Sequence, residues 1–192
     1  EMSVRIEGWS NRQTFFLERF YDLPTQLLLQ KALREGDTFV DVGANEGMMT
    51  LLGSRLVGSK GKVISFEPNP TAGTILKRNL QRNAITNVEL HDAGLGEEEA
   101  ELSLFVPFIN TGEGSFIAPG NDSDGDYVNC PVLIGDEVIG QRSPRLIKID
   151  VEGFEGHVLN GLSRTLESAK PIVCMEMVRG HLARDKQTPD GL

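Results

Sequence analysis

The sequence predicts an α/β fold, a mostly parallel sheet with helices on both faces. Two observations carry that expectation. Short apolar runs alternate with amphipathic stretches along most of the 192 residues, the pattern of strand–helix–strand units. No internal repeat or low-complexity tract interrupts it.

Taken in order, residues 12 to 22 and 24 to 34 predict entry helices. The second opens with Pro24 near its first turn and carries Leu27, Leu28 and Ala32 on one side. "DTFVDVG" reads as a buried strand. From Asn45 to Val57, Met48, Leu51, Leu52 and Leu56 fall on one helical face. "KVISFEP" is the next strand, ended by Pro68. Asn69 followed by Pro70 then starts a helix to about Asn83, with Ile75, Leu76 and Leu80 inward. "NVELHDA" makes a third strand.

Between Gly94 and Gly140 the pattern changes. Two β-like runs, "AELSLFVP" and "YVNCPVLI", flank a Gly-, Asn- and Asp-rich stretch, which predicts an inserted β-hairpin after the third strand with a mobile loop. Parallel order resumes with "RLIKIDV", a helix from about Glu155 to Glu167 bearing Val158, Leu159, Leu162 and Leu166, and then "PIVCMEM". The closing "RDKQTPDGL" is polar and reads as a frayed end.

The totals bound the function. One domain over 1–192 is the default for this length. Nineteen basic against 28 acidic residues leave a net charge of −9, which repels a phosphate backbone, and no basic cluster offsets it, so no nucleic-acid partner is expected. Cys130 and Cys174 sit in apolar runs and read as small buried hydrophobes rather than a disulfide. No run is long enough for a transmembrane segment, and the basic-then-apolar order of a secretory signal is absent. A soluble, cytoplasmic setting fits, although Glu1 ahead of Met2 points to an excised piece or an added residue and leaves a lost targeting segment open.

The first strand runs into "DVGANEGMMTL". A dinucleotide fingerprint would need glycines where this chain has Asn45 and Met48, and no Gly-Lys-Ser or Gly-Lys-Thr follows for a phosphate loop. What remains is a bend at Gly43 and Gly47 that opens onto a helix N-terminus at the carboxyl end of a strand, the ligand crevice of an open α/β sheet. Free amides there suit a carboxylate, and Asp41 with the Asn45 side chain could accept from an ammonium, which together match the amino-acid end of S-adenosylmethionine. Taken alone, Gly43 serves equally well as a plain tight turn.

Glu67 shifts that balance. It ends the second strand a little over twenty residues later, where a carboxylate can accept from both hydroxyls of a ribose. Asp92 ends the third strand, placed to accept from an adenine amino group, with Ala93 leaving room beside the ring. A strand-end carboxylate is often only a cap or a solvated turn residue; the ordered set favours an adenosyl ligand.

Three blocks, "DVGANEGMMTL" (41 to 51), "FEPNPTAGTILKRNLQRN" (66 to 83) and "IKIDVEGFEGHVLNGL" (147 to 162), resemble the FkbM family of S-adenosylmethionine-dependent methyltransferases in residues, order and spacing. The resemblance implies a class I methyltransferase, Rossmann-like sheet that binds S-adenosyl-L-methionine and methylates a hydroxyl of a sugar, glycan or natural product. It implies that Gly43, Ala44, Asn45 and Gly47 line the methionine end, while Glu67, with Pro68 and Asn69 shaping the turn, holds the ribose. Residues 36–93 then form the cofactor-binding half and 141–192 the acceptor-side half, after entry helices over 1–35 and the insertion over 94–140. Such a sheet normally closes with a C-terminal β-hairpin, and here that hairpin is expected to be missing or truncated.

Methyl transfer to a hydroxyl needs alignment and removal of a proton. In "KIDVEGFE", Asp150 and Glu152 point to the same side if the strand stays regular, which assigns Asp150 to the cofactor ammonium and Glu152 to the acceptor as the catalytic pair. Capping of the next helix is the alternative for Glu152 and Glu155. His157 is either a base or a satisfied surface residue. Glu176 is either a buried proton acceptor with a raised pKa or a partner of Arg179. Ser115 and Asn110 either close over the acceptor or lie in an exposed loop. No metal is expected, because a hard cation wants more oxygen ligands than can be placed. A non-catalytic S-adenosylmethionine-binding domain stays open as the second reading, and the missing glycine disfavours a nicotinamide enzyme. The oligomeric state is not legible.

Overall fold

The computed structural model describes residues 2–6, 12–13, 15–16, 21–108, 114–117, 124–178, 180 and 188. In chain order its elements are α1 (Leu23–Ala32), β1 (Thr38–Val42), α2 (Met48–Val57), β2 (Lys62–Phe66), α3 (Pro70–Arg82), β3 (Val88–His91), β4 (Gly94–Gly96), β5 (Ala100–Pro107), β6 (Gly125–Ile134), α4 (Gly135–Ile139), β7 (Leu146–Ile149), α5 (Glu155–Gly161), α6 (Ser163–Ala169) and β8 (Ile172–Met175). Residues 12–13 and 15–16, inside the first predicted entry helix, are helical. The second, α1, starts at Leu23, capped by the Asp22 carboxylate accepting from Thr25 N at 3.2 Å.

Five strands form a wholly parallel sheet in the order β3-β2-β1-β7-β8. Strand order reverses between β1 and β7, and in such sheets the crevice for a ligand lies outside the carboxyl ends at that reversal. Register brings the chemistry there: Asp41 lies beside Ser65 and Lys148, Val42 beside Phe66 and Ile149, and Ile149 beside Met175.

The central strands are rich in apolar residues because both faces are covered. On one face Phe39, Val63 and Leu146 pack with Leu29 and Leu33 of the α1 region and Met49 and Val57 of α2. On the other, Val40, Val42, Ile64, Phe66, Ile147 and Ile149 pack against Leu95, Val132, Phe154, Val158 and Leu162. Alternation along β1 thus sends Phe39 and Asp41 to the α2 side and Val40 and Val42 to the other.

The inserted segment contains the predicted hairpin, β5 antiparallel to β6 with Leu104 opposite Val128. Not predicted is β4, which joins it parallel to β6 and makes a second, three-stranded sheet. The loop residues 109–113 and 118–123, including Asn110, lie outside the described residues, as do Arg179 and most of the predicted frayed end.

The single helix predicted from Glu155 to Glu167 is two helices, broken at Leu162. The physical reason is remote in sequence. The buried Asp136 carboxylate in α4 accepts from Arg164 N at 2.9 Å, Thr165 N at 2.8 Å and Thr165 Oγ1 at 2.7 Å, serving as the N-terminal cap of α6 from another helix. Burial pushes that carboxyl up, but the bonds from Thr165 and Arg164 outweigh it and hold the group below its ordinary range. Asp136→Ala is expected to cost ~1–2 kcal/mol of stability in urea unfolding at neutral pH. Its contribution is present above the unfolded carboxylate pKa and is lost as pH falls through the lower folded value, so the difference from wild type should vanish in acid.

Cys130 and Cys174 are both free thiols, as expected. Among the described residues no helix is long and apolar enough to cross a membrane.

Candidate functional site

The chain leaves β1 at Val42 and bends through Gly43–Gly47 into α2 with three left-handed residues, Gly43 (φ 78°), Asn45 (φ 50°) and Gly47 (φ 94°). Gly43 N and Ala44 N both donate to Phe66 O at 3.0 Å, which ties the bend to the end of β2. A side chain on Gly43 would run into the carbonyl oxygen of Asp150, so β7's exit packs against bare backbone. A side chain on Gly47 would meet Leu76.

Glu67 bridges this bend to the next one. Its Oε2 accepts from Asn45 N at 2.6 Å and its Oε1 from Asn69 N at 2.8 Å, while the Asn69 side chain accepts from Thr71 N at 3.0 Å as the cap of α3. Burial raises the Glu67 pKa from 4.5 to about 7, against the opposing pull of the two amides and Lys148. The folded state therefore binds this proton more tightly than the unfolded chain, and stability falls as pH rises from 4.5 to about 7. The stability difference between wild type and Glu67→Gln is expected to drift against wild type by up to ~3 kcal/mol across that window; urea unfolding at a series of pH values that showed a constant difference would exclude it.

Two cavities meet at the bend. The smaller is lined by Glu67, Pro68, Asn69, Ala93, Phe116 and Phe154. The larger, of about 630 Å³, is lined by Tyr21, Thr25, Ala44, Glu46, Lys148 and Glu176. Gly43, Asn45, Asp150 and Glu152 border both.

Lys148 organises the charge beneath this shared wall. Its buried ammonium lies 3.5 Å from Asp41 Oδ1 and 3.3 Å from Asp150 Oδ2, and donates to Gly43 O at 3.1 Å. Burial disfavours its charge, but Asp150 and Asp41 overcome that and raise its pKa. Asp41 is fully buried; Thr50 Oγ1 donates to its Oδ2 at 2.6 Å, and Oδ1 has no hydrogen bond, so the Lys148 charge is what compensates it.

Carboxylate oxygens of Asp150, Glu152 and Glu176 lie within 4.8 Å of one another. The expectation of a regular strand through Glu152 does not hold: β7 stops at Ile149, and Glu152 (φ 54°) and Gly153 (φ 107°) are both left-handed. The turn, not strand alternation, brings Glu152 beside Asp150. Ser115 Oγ, reaching in from the insertion, donates to Glu152 O at 2.7 Å and anchors that turn. Glu176 is exposed rather than buried, and its pKa is raised to about 7 chiefly by the like charge of Asp150 and secondarily by desolvation. The three carboxylates are close enough to share one cation, and the Lys148 ammonium already occupies one side of Asp150.

Other sequence candidates stand apart. Asp41 and Gly47 line neither cavity. Asp92 is exposed and paired with Lys77 at 2.5 Å. His157 stacks on Phe154 and meets Glu97 at 3.2 Å, outside both cavities. Sequence reading overlooked Lys148, Glu46, Tyr21 and Thr25. Lys148 had a signal, a lone cation inside the apolar run "LIKI" two residues before Asp150.

Residues 41–190 match the methyltransferase FkbM domain family. The chain is 30% identical over 183 residues to Methyltransferase 1 of Beauveria bassiana, across 83% of this chain and 69% of that protein. It is 30% identical over 151 residues to the hexuronic acid methyltransferase AglP of Haloferax volcanii, across 77% of this chain and 59% of the relative. Among solved structures it is similar to methyltransferase FkbM from Methylobacillus flagellatus KT, with a TM-score of 0.53 at 18% identity over 90% of this chain and 51% of that one. A methyltransferase from Streptococcus mutans, crystallised with SAH, gives 0.53 at 13% identity over 85% and 75%. The chain thus spans between about half and two-thirds of the length of most of these proteins. Its parallel sheet and strand order are those of a class I methyltransferase, and by its match over 41–190 the chain belongs to the FkbM methyltransferase family.

Proposed function

We propose that this chain is an S-adenosylmethionine-dependent O-methyltransferase, with the donor in the smaller cavity, the acceptor in the larger one, and reaction at the wall they share. The observation that carries the reading is that wall: Asp150 and Glu152 face both cavities beside the Gly43–Asn45 bend.

The donor set fits an adenosyl sulfonium. A buried carboxylate at Glu67 suits the ribose, the neighbouring Pro68 and Ala93 suit the base, and the carboxylates of Asp150 and Glu152 suit a cationic head. When bound, S-adenosylmethionine supplies an electrophilic methyl group. Gly43 and Asn45 of the bend shape the floor, Asp150 accepts from the donor ammonium, and Glu152 orients the acceptor hydroxyl. Glu176, with a pKa of about 7, is suited to take the hydroxyl proton at neutral pH. Three clustered carboxylates, of which only Asp150 is paired with Lys148 among the described residues, favour an uncharged hydroxyl over a polyanion, in keeping with a sugar, glycan or natural-product acceptor. The name of AglP, a hexuronic acid methyltransferase, supports a sugar acceptor.

Two measurements test this. Calorimetry with S-adenosylhomocysteine should show binding, weakened by ~1–3 kcal/mol in Glu67→Ala; an unchanged affinity in that variant would remove the ribose assignment. Turnover with hydroxylated sugars should release S-adenosylhomocysteine and should survive EDTA. Binding without release across the acceptor panel would favour a non-catalytic binding domain, and a loss restored by magnesium would place a metal at the three carboxylates.

A further inference from the structure

Two buried polar side chains outside the proposed chemistry converge on the donor bend. Asn79 of α3 has no exposed surface, and Glu46, inside the bend, has 1%. The Asn79 side-chain amide treats residue 3 as a strand would: its Oδ1 accepts from Ser3 N at 2.7 Å and its Nδ2 donates to Ser3 O at 2.9 Å. The same Nδ2 donates to Glu46 O at 2.8 Å. Two residues along, Arg5 N donates to both oxygens of the Glu46 carboxylate, at 3.2 and 3.1 Å. Arg82 of α3 adds a bond to Ser3 Oγ at 2.5 Å.

Every one of these bonds on the strap side uses backbone or a hydroxyl of residues 3–5, and on the other side they reach only α3 and the bend. Glu46 sits between Asn45, whose left-handed backbone presents its amide to Glu67, and Gly47, whose left-handed backbone starts α2. The bend is thus held from both ends: Glu67 grips it from the sheet, and the N-terminal strap grips it from outside through Glu46 and Asn79.

We infer that Asn79 and Glu46 are positioning residues that couple residues 3–5 to the donor bend, so that donor affinity depends on an N-terminal strap that itself lines neither cavity. This rests on the donor reading above. A bend released from the strap spends less time in the binding-competent conformation, and apparent affinity falls in proportion to that fraction. The loss of several charge-assisted and buried bonds is sufficient for about a tenfold change.

The experiment uses the full chain, Ser3→Pro, Arg5→Pro and a version lacking residues 1–6. Each Pro removes one strap N–H, and Ser3→Pro also the hydroxyl that Arg82 meets, while Asn79 and Glu46 stay in place. S-adenosylhomocysteine is the calorimetric probe, and amide hydrogen exchange over residues 44–48 reads the bend without any ligand. The expected result is about tenfold weaker binding in the truncated chain, smaller losses in the Pro variants, and faster exchange at 44–48 but not in β2 or β7. Unchanged affinity and unchanged exchange at 44–48, even with a lower melting temperature, would overturn the inference by making the strap a general stabiliser. If the wild-type chain takes up no S-adenosylhomocysteine, the donor reading fails; exchange at 44–48 then still decides whether the strap holds the bend. If truncation prevents folding, the Pro variants decide the outcome.

Discussion

Lys148→Met is expected to destabilise the protein by ~3–5 kcal/mol, the largest single-residue effect at the site. The substitution keeps the length and apolar stem of the side chain but removes the charge that, among the described residues, compensates the fully buried Asp41 and flanks Asp150. An orphaned buried carboxylate costs far more than the pair itself contributes, because two charges taken out of water roughly repay their desolvation, whereas one does not. Asp41 Oδ1 has no hydrogen bond to fall back on. Urea unfolding measures the loss, and a second substitution separates the causes: Asp41→Asn in the Lys148→Met background should restore much of the stability by removing the stranded charge. A single variant as stable as wild type would show that the Asp41–Lys148–Asp150 arrangement does not carry the balance assigned to it.

Gly43→Ala is expected to remove detectable donor binding while lowering stability by ~2–4 kcal/mol. Two terms add. An L-residue in the left-handed region costs ~1–2 kcal/mol, and the new methyl meets the backbone carbonyl of Asp150, which cannot rotate away as a side chain tip would. Relief requires β1's exit and β7's exit to separate, which displaces Asp150 and Glu152 from the wall that both cavities share. Calorimetry with S-adenosylhomocysteine on the folded variant reads the first effect and urea unfolding the second. Wild-type affinity in Gly43→Ala would mean that the close approach of the two strand ends has no part in holding the ligand.

Much of this architecture is legible in the residues because local rules and the tertiary fold agree there. Pro24, Asn69 and Pro70 mark helix starts through caps and a fixed φ, and the apolar faces of α2 and α3 follow the helical period, so these elements are placed to within a few residues. The break between α5 and α6 was invisible because its cause, the Asp136 carboxylate, lies 28 residues upstream of Arg164 and reaches α6 only in the folded chain. β4 was missed for a similar reason: three residues carry no periodicity of their own and become a strand only by pairing with β6.

The rim of the smaller cavity was readable from spacing. Gly43, Asn45, Glu67, Pro68, Asn69 and Ala93 border one cavity because parallel strands in register bring successive carboxyl ends to one edge, a consequence of chain order alone. The acceptor side was not. Whether Asp150, Glu152 and Glu176 meet depends on a left-handed turn after β7 and on the neighbouring strand β8, and whether Lys148 is a surface cation or a buried counter-ion depends on what packs over it.

Residue order alone was therefore enough for the sheet, its helical cover and the glycine bend, since each follows from periodicity, caps and short-range spacing, while the family was legible through the resemblance of three motif blocks. Only the folded chain decided which carboxylates share a field, which of them is neutralised by Lys148, and that residues 3–5 reach back to Glu46 and Asn79. Electrostatic and hydrogen-bond energies depend on distance and burial, and for groups dozens of residues apart both quantities come into being only with tertiary packing.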